Sequence, residues 1–307
     1  MATSVSARDP SLNVSMSVTS SLTARTSRLN RRLKSNLNLL IHHRTTHPSG
    51  VLAHKVNGLM FALDLNHPNQ RQVYEQGGFE PELTEVIRRL SQPQDIFVDI
   101  GANFGWHSVA LLAGNAGISC SYAFEPSRKM FSLLSESIAL NQLQSRCHAK
   151  RLAITDREGR STLKTFADLD PMHASLYPLA DWAYEEEDIE LSTLDAQVAT
   201  FPKPPSLIKC DVEGGERDVL LGAQRVLAGE FGSPPLWLLE ANYEAAGMAG
   251  FFPWDLIEIA KSRAPYEAYC IRGGSIVPVL HKTALRHGDT LVLAIPEIHQ
   301  ARLAACA

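Results

Sequence analysis

From Ile96 to Ile295 short apolar runs alternate with stretches of helical periodicity, and this rhythm restricts the chain more than any other feature. The strand candidates are Ile96–Ile100, Ser119–Phe124, Ala149–Ile154, Ser206–Cys210, Leu236–Glu240, Tyr266–Ile271 and Thr290–Ile295. Helical patterns fall between them at 104–113, 127–140, 215–228 and 253–262. Strand–helix alternation specifies an α/β fold, a doubly wound and mostly parallel sheet of seven strands with helices on both faces. Right-handed crossovers then bring the C-terminal strand ends to one rim, where such sheets bind ligands. A hairpin-like stretch from Val51 to about Leu65 and a helix from Glu80 to Leu90 precede the alternation. Residues 163–192 interrupt it with Asp168, Asp170, Pro171, Pro178 and the acidic run Glu185–Asp188, and read as an irregular insertion, a lid or substrate loop.

The segment Ile96-Phe-Val-Asp-Ile-Gly-Ala-Asn-Phe-Gly-Trp-His-Ser-Val-Ala110 reads as buried strand, glycine turn and helix. Glycines let backbone approach a ligand, and a helix N-terminus offers free N–H groups. A dinucleotide site needs glycine at three positions, but here they hold Gly101, Asn103 and Trp106. Trp106 cannot allow the close helix–strand packing of the third glycine, which disfavours NAD and FAD. No Walker-type phosphate loop occurs. What remains is Asp99-x-Gly101-x-Asn103-x-Gly105, an acid and small residues suited to a cationic amino-acid group. Glu125 ends the following strand, and Pro126 opens the next helix as an N1 proline. Its carboxylate can accept two hydrogen bonds from a ribose diol, or it can cap the helix over 127–140.

Taken together, several segments resemble the FkbM-type methyltransferases in order and spacing. They are Gly78-Phe-Glu-Pro-Glu-Leu83, Asp99-Ile-Gly-Ala-Asn-Phe-Gly105, Ala123-Phe-Glu-Pro126, Ala139-Leu-Asn141, Leu152-Ala-Ile-Thr-Asp156 with Glu158-Gly159, and Leu207-Ile-Lys-Cys-Asp-Val-Glu-Gly214. The resemblance runs from about residue 74 to 243. It implies a Rossmann-like class I fold and S-adenosyl-L-methionine as cofactor. It also implies methylation of a hydroxyl on a sugar, glycan or other natural product. Asp99, Gly101, Asn103 and Gly105 are then expected at the methionine end of the cofactor, Glu125 at the ribose, and Ala153 to Asp156 near the adenine. The sequence departs from the family in its basic first fifty residues, in the 163–192 loop, and at Cys210, where an aliphatic residue is usual.

A second acidic group follows the same strand–turn–helix logic. Asp211 and Glu213 leave the turn after 206–210, and Glu240 ends the next strand. Asp211, Glu213 and Glu240 are the catalytic candidates, with Asp211 central. One could act as general base toward a hydroxyl if burial or a neighbouring charge raises its basicity. Alternatively Asp211 and Glu240 could hold Mg²⁺. Glu213 and Glu216 can also be read as N-terminal charges complementing a helix dipole. Lys209 could neutralise the cluster. His107 and His173 are competing bases.

Composition bounds the rest. With 45% hydrophobic and 20% charged residues the chain is of ordinary globular type. Five cysteines without CxxC spacing argue against a disulfide framework or zinc site and fit a cytoplasmic location. Residues 1–50 carry seven basic side chains against Asp9, although the whole chain is at −4. Residues 1–45 are expected to be a disordered or partly helical extension, with Leu29, Leu33, Leu37 and Leu40 on a basic helix capable of weak docking on a membrane surface. The methyltransferase domain is expected over 46–300. An acidic domain speaks against nucleic acid as a partner, leaving a small-molecule or glycan acceptor, and no apolar run is long enough for a transmembrane segment. N-methylation and a non-catalytic binding module are the alternatives.

Overall fold

Asn57 and Gly58, both with positive φ (51° and 89°), make the tight turn that joins the first two strands. That turn matches the twist of paired strands, and β1 (Val51–Val56) and β2 (Leu59–Asp64) form an antiparallel hairpin in register from Val51–Asp64 to Val56–Leu59. The computed structural model describes residues 50–114, 117–166, 176 and 184–306. Expectations for residues 1–45, for His173 and for the middle of the 163–192 loop lie outside them.

After the hairpin come α1 (Pro68–Gln76), α2 (Pro81–Leu90), β3 (Ile96–Ile100), α3 (Trp106–Ala113), β4 (Cys120–Phe124), α4 (Arg128–Leu140), β5 (Cys147–Lys150) and β6 (Ala153–Ile154). The chain continues with β7 (Gly159–Phe166), β8 (Tyr184–Ser192), α5 (Leu194–Val198), β9 (Leu207–Cys210), α6 (Glu216–Leu221), α7 (Gln224–Leu227), β10 (Leu236–Ala241) and α8 (Tyr243–Met248). It ends with α9 (Pro253–Lys261), β11 (Glu267–Arg272), β12 (Ser275–Pro278), β13 (Asp289–Ala294) and α10 (Pro296–Ala304).

The central sheet has the order β12-β11-β13-β10-β9-β3-β4-β5. Its strands β5, β4, β3, β9 and β10 are parallel, and β13 runs antiparallel between β10 and β11. This is the mostly parallel, doubly wound sheet anticipated from the alternation. It has eight strands rather than seven, because β12 folds back on β11 as an edge hairpin through Gly273 and Gly274. Strand order reverses at β3: β4 and β5 lie on one side, β9 and β10 on the other. The rim above β3 and β9 is therefore the switch point where such sheets bind ligands.

Alternation along the strands divides the core in two. Phe97, Ala123, Leu207, Leu236 and Leu238 pack with the hairpin, α2, α3 and α4. Val98, Ile100, Ile208, Cys210, Trp237 and Leu239 pack on the other face with α5, α6, α7 and α9. Cys210 thus fills an ordinary apolar position and is fully buried.

Three sequence expectations change. The 215–228 helix is two helices, broken at Gly222. A Cβ on Gly222 would lie 1.9 Å from the Thr155 carbonyl oxygen, so the break brings two backbones together. The 149–154 strand divides at Arg151 and Leu152, and β6 leaves the central sheet to pair with β8. The ends of the 163–192 segment are not irregular: β7 and β8 pair antiparallel from Gly159–Leu191 to Phe166–Tyr184, giving a separate sheet in the order β6-β8-β7.

Candidate functional site

Strand alternation builds the site. Phe97 and Leu207 face one core layer, so Asp99 and Lys209, two residues further on, face the same side. Asp99 and Lys209 are direct neighbours in the β3–β9 register. Continuing the two-residue period places Asp211 and, beyond Leu238 on β10, Glu240 on that face as well. The Lys209 ammonium lies 3.1 Å from Asp211 Oδ2.

Glycine at 101 is required by packing. Its φ is +75°, and a Cβ there would lie 1.8 Å from the Asp211 carbonyl oxygen. Gly105, at φ +90°, makes room for Leu134 of α4. Both glycines let protein approach protein, where sequence reasoning had a ligand approaching backbone. Gly101 nevertheless lines the cleft, as does Asn103, itself left-handed at φ 51°. Gly105 and Asp99 lie behind it.

The cleft runs along the rim. At one end Ala153, Ile154 and Thr155 form a wall, joined by Leu163 of β7. Asp156 does not: it turns outward and pairs with Arg157 at 2.9 Å. In the middle stands Glu125. Its Oε1 accepts from Ser127 N at 2.8 Å and its Oε2 from Asn103 N at 2.9 Å. Each oxygen keeps one further lone pair. Burial pushes this carboxyl up to about 7, against the pull of those two N–H groups. The helix-cap role is taken by Ser127, whose Oγ accepts from Met130 N.

At the other end are Lys209, Asp211, Glu213 and Glu240, facing Glu80 and His107. Asp211, Glu213 and Glu240 each offer an oxygen within 4.8 Å of the others. Burial opposes ionisation of Asp211, but the Lys209 ammonium outweighs it and holds the carboxyl below its ordinary range. Glu240 is pushed the other way, by burial and then by the Asp211 charge. Lys209 is itself raised: its carboxylate neighbours Asp211, Asp99 and Glu80 overcome burial. The expectation that neighbouring acids raise the basicity of Asp211 is thus corrected. The two carboxyls are displaced in opposite directions, Asp211 toward its ionised form and Glu240 toward its protonated one.

Glu216 stands behind the turn. Its carboxylate accepts from Val212 N at 3.0 Å and Gly214 N at 3.1 Å. It is buried inside the protein and fixes the turn holding Asp211 and Glu213, which is more than complementing a helix dipole.

Glu80 was missed by sequence reasoning. It precedes Pro81 at φ 43°, and its Oε2 lies 2.9 Å from His107 Nε2. Gly78-Phe-Glu-Pro-Glu-Leu83 held the signal, but nothing in it placed Glu80 opposite a rim over a hundred residues away. His107 Nδ1 lies 3.4 Å from Thr84 Oγ1, so both ring nitrogens face protein partners.

The donor set fits a sulfonium amino-acid nucleoside. Asp99 Oδ2 accepts from Ser108 Oγ at 2.7 Å, whereas Asp99 Oδ1 is buried without a partner. An ammonium group would satisfy that orphaned acceptor, and Glu125 has lone pairs left for a diol.

Residues 99–231 match the family model described as the Methyltransferase FkbM domain. No curated protein matches. Among solved structures, Methyltransferase FkbM from Methylobacillus flagellatus KT is similar at 19% identity, covering 66% of this chain and 44% of that one, with a TM-score of 0.43. TYW2 of M. jannaschii in complex with AdoMet is 15% identical over 80% of this chain and 85% of that one, TM-score 0.39. A complex of aTrm5 and tRNALeu is 13% identical over 80% and 53%, TM-score 0.38. Similar structures thus include one bound to tRNA, and the expectation that nucleic acid is excluded as a partner is withdrawn. Among the described residues no helix is long and apolar enough to cross a membrane.

Proposed function

Residues 99–231 carry an FkbM methyltransferase domain, and from that premise we propose that the protein transfers a methyl group from S-adenosyl-L-methionine to a hydroxyl, as on a sugar or other natural product. The observation that carries this reading is the juxtaposition, in one cleft, of Glu125 and the Asp99 loop with the Asp211–Glu240 pair. When bound, the cofactor supplies an electrophilic methyl on a sulfonium. Gly101 and Asn103, with Asp99 buried behind them, would line its methionine end, the Glu125 carboxylate would accept from its ribose hydroxyls, and Ala153 to Thr155 with Leu163 would cover its adenine.

The acceptor end must orient a hydroxyl and take its proton. Asp211 is ionised by Lys209 and can accept a hydrogen bond from the hydroxyl. Glu240, protonated beside it, shares one proton with Asp211, and the pair has capacity for a second. The shared proton, like the Lys209 charge, keeps Asp211 less basic than an isolated carboxylate, so the pair would act by orienting the hydroxyl and taking its proton as the methyl transfers. General-base help of this kind is worth about 10²–10⁴-fold. Mg²⁺ on Asp211, Glu213 and Glu240 is the competing version, favoured by the 4.8 Å grouping of their oxygens.

Asp211→Asn tests the proposal. It should abolish transfer on any acceptor the wild type methylates, with S-adenosylhomocysteine affinity changed less than about threefold, a loss of roughly 0.6 kcal/mol. The acceptor panel should include polyols, glycosides, amines and structured RNA. EDTA inactivation reversed by Mg²⁺ would assign the acids to a metal. Near-normal turnover by Asp211→Asn would move the base to Glu80 and His107, and methylation confined to amines or RNA would overturn the hydroxyl reading.

A further inference from the structure

Glu187 behaves differently from its acidic neighbours. On β8, Glu186, Asp188 and Glu190 are exposed, as alternation requires of one strand face, and Glu185 is exposed as well. Glu187 points the other way and is half-buried, directly across from Leu163 in the β7–β8 register. Both its carboxylate oxygens accept from Arg128 N, at 3.1 and 3.2 Å. Oε1 also accepts from Arg151 Nη1 at 2.8 Å, and the Arg128 guanidinium lies 3.5 Å away. Arg128 is the first residue of α4, three positions after Glu125. Arg151 lies two positions before Ala153. One carboxylate therefore ties together the helix start beside the ribose-binding acid, the link into the adenine wall, and the hairpin carrying Leu163.

Among the described residues the rest of the attachment is slight. β6 holds β8 through two residue pairs, Ala153–Leu191 and Ile154–Ser192. Glu187 precedes Leu191 by four residues on β8, at the level where Leu163 enters the cleft wall. Leu163 packs on Ala153, Ile189 and Leu191 and is 2% exposed. Its place against the cleft depends on the hairpin staying down.

We infer that Glu187 is a positioning residue for the cofactor pocket, pinning the β7–β8 hairpin and Leu163 over the adenosine end. The inference rests on the cofactor reading above. It assigns Glu187 no contact with the cofactor: the carboxylate acts through Leu163, and what it controls is release.

The experiment is the dissociation rate of S-adenosylhomocysteine from the full-length chain, measured by stopped-flow displacement. Glu187→Ala should release it about tenfold faster, the scale of one charge-assisted hydrogen bond, with association little changed. Arg151→Ala should shift the rate the same way by less, because the Arg128 N–H contact remains. Glu187→Gln preserves side-chain size and serves if the alanine variant does not fold. A purely structural role would lower the melting temperature of the free protein and leave release from the folded fraction unchanged. Wild-type release rates in folded Glu187→Ala or Glu187→Gln would overturn the inference while the cofactor reading stands. Failure of the wild type to bind S-adenosylhomocysteine would sink the cofactor reading, and this inference with it.

Discussion

Glu125 joins two functions in one side chain. It holds the backbone at Asn103 and Ser127, and it presents two lone pairs to the cleft. Glu125→Ala should therefore weaken S-adenosylhomocysteine binding roughly 10–150-fold, the value of about 1.5–3 kcal/mol for hydrogen bonds to a charged group. Calorimetry on a folded variant checks this, and unchanged affinity would remove the ribose role. Lys209 makes the complementary case. It is 5% exposed, and its ammonium is the cation that keeps Asp211 ionised. Lys209→Met leaves that carboxylate, 29% exposed, without its partner, which should cost less than the roughly 3–5 kcal/mol of breaking a fully buried pair. If Asp211 accepts the substrate proton in its ionised form, the acidic limb of the pH–rate profile should move to higher pH. An unshifted limb with the expected stability loss would confine Lys209 to a structural role.

At the scale of elements, the close contact of β3 with β9 decides the geometry of the site. Gly101→Ala forces a methyl group into the Asp211 carbonyl at a left-handed backbone position. Overpacking and the strained φ together should cost about 2–4 kcal/mol, lowering the melting temperature by roughly 4–16 °C. A melting temperature within two degrees or so of wild type would mean that the turn after β9 moves freely. The same contact explains what the sequence revealed. β3, β9 and the first four residues of β10 are buried on both faces, so they read as apolar runs interrupted only by Asp99 and Lys209, and the acids at their C-terminal ends were evident. β7 and β8 were not, because one face of β8 is charged and no short turn joins the two strands. Glu80 reaches the cleft, and Glu187 its supporting hairpin, only by tertiary packing, which no local pattern places. The glycines were found for an incomplete reason, since sequence shows that backbone comes close but not what it approaches.

At the scale of the whole molecule, residues 50–307 form one compact unit, and we propose that a chain begun near Thr46 folds and binds cofactor as the full chain does. Aggregation of that shortened chain, or loss of S-adenosylhomocysteine binding, would show that the first 45 residues belong to the domain. The second expectation concerns pH. Burial raises Glu125 and Glu216 from the ordinary carboxylate range to about 7. Between roughly 4.5 and 7 these two carboxyls hold more protons in the folded protein than in the unfolded chain, so their contribution falls as pH rises, and together they outweigh His299, which burial lowers to about 4 and which acts the other way. The contribution of these two groups is fully present below their unfolded values and lost as pH rises through 7. Asp64, Glu85 and Asp211 are shifted downward. Their contributions exist above the unfolded value and vanish only in stronger acid. The free protein should therefore melt at a higher temperature near pH 5 than near pH 8. If ribose hydroxyls donate to an ionised Glu125, bound S-adenosylhomocysteine should reverse part of this slope. Its affinity should rise from pH 6 to pH 8, with proton release on binding. Calorimetry in two buffers of different ionisation enthalpy measures that release directly. Proton uptake, or an affinity that falls with pH, would mean that Glu125 binds in its neutral form.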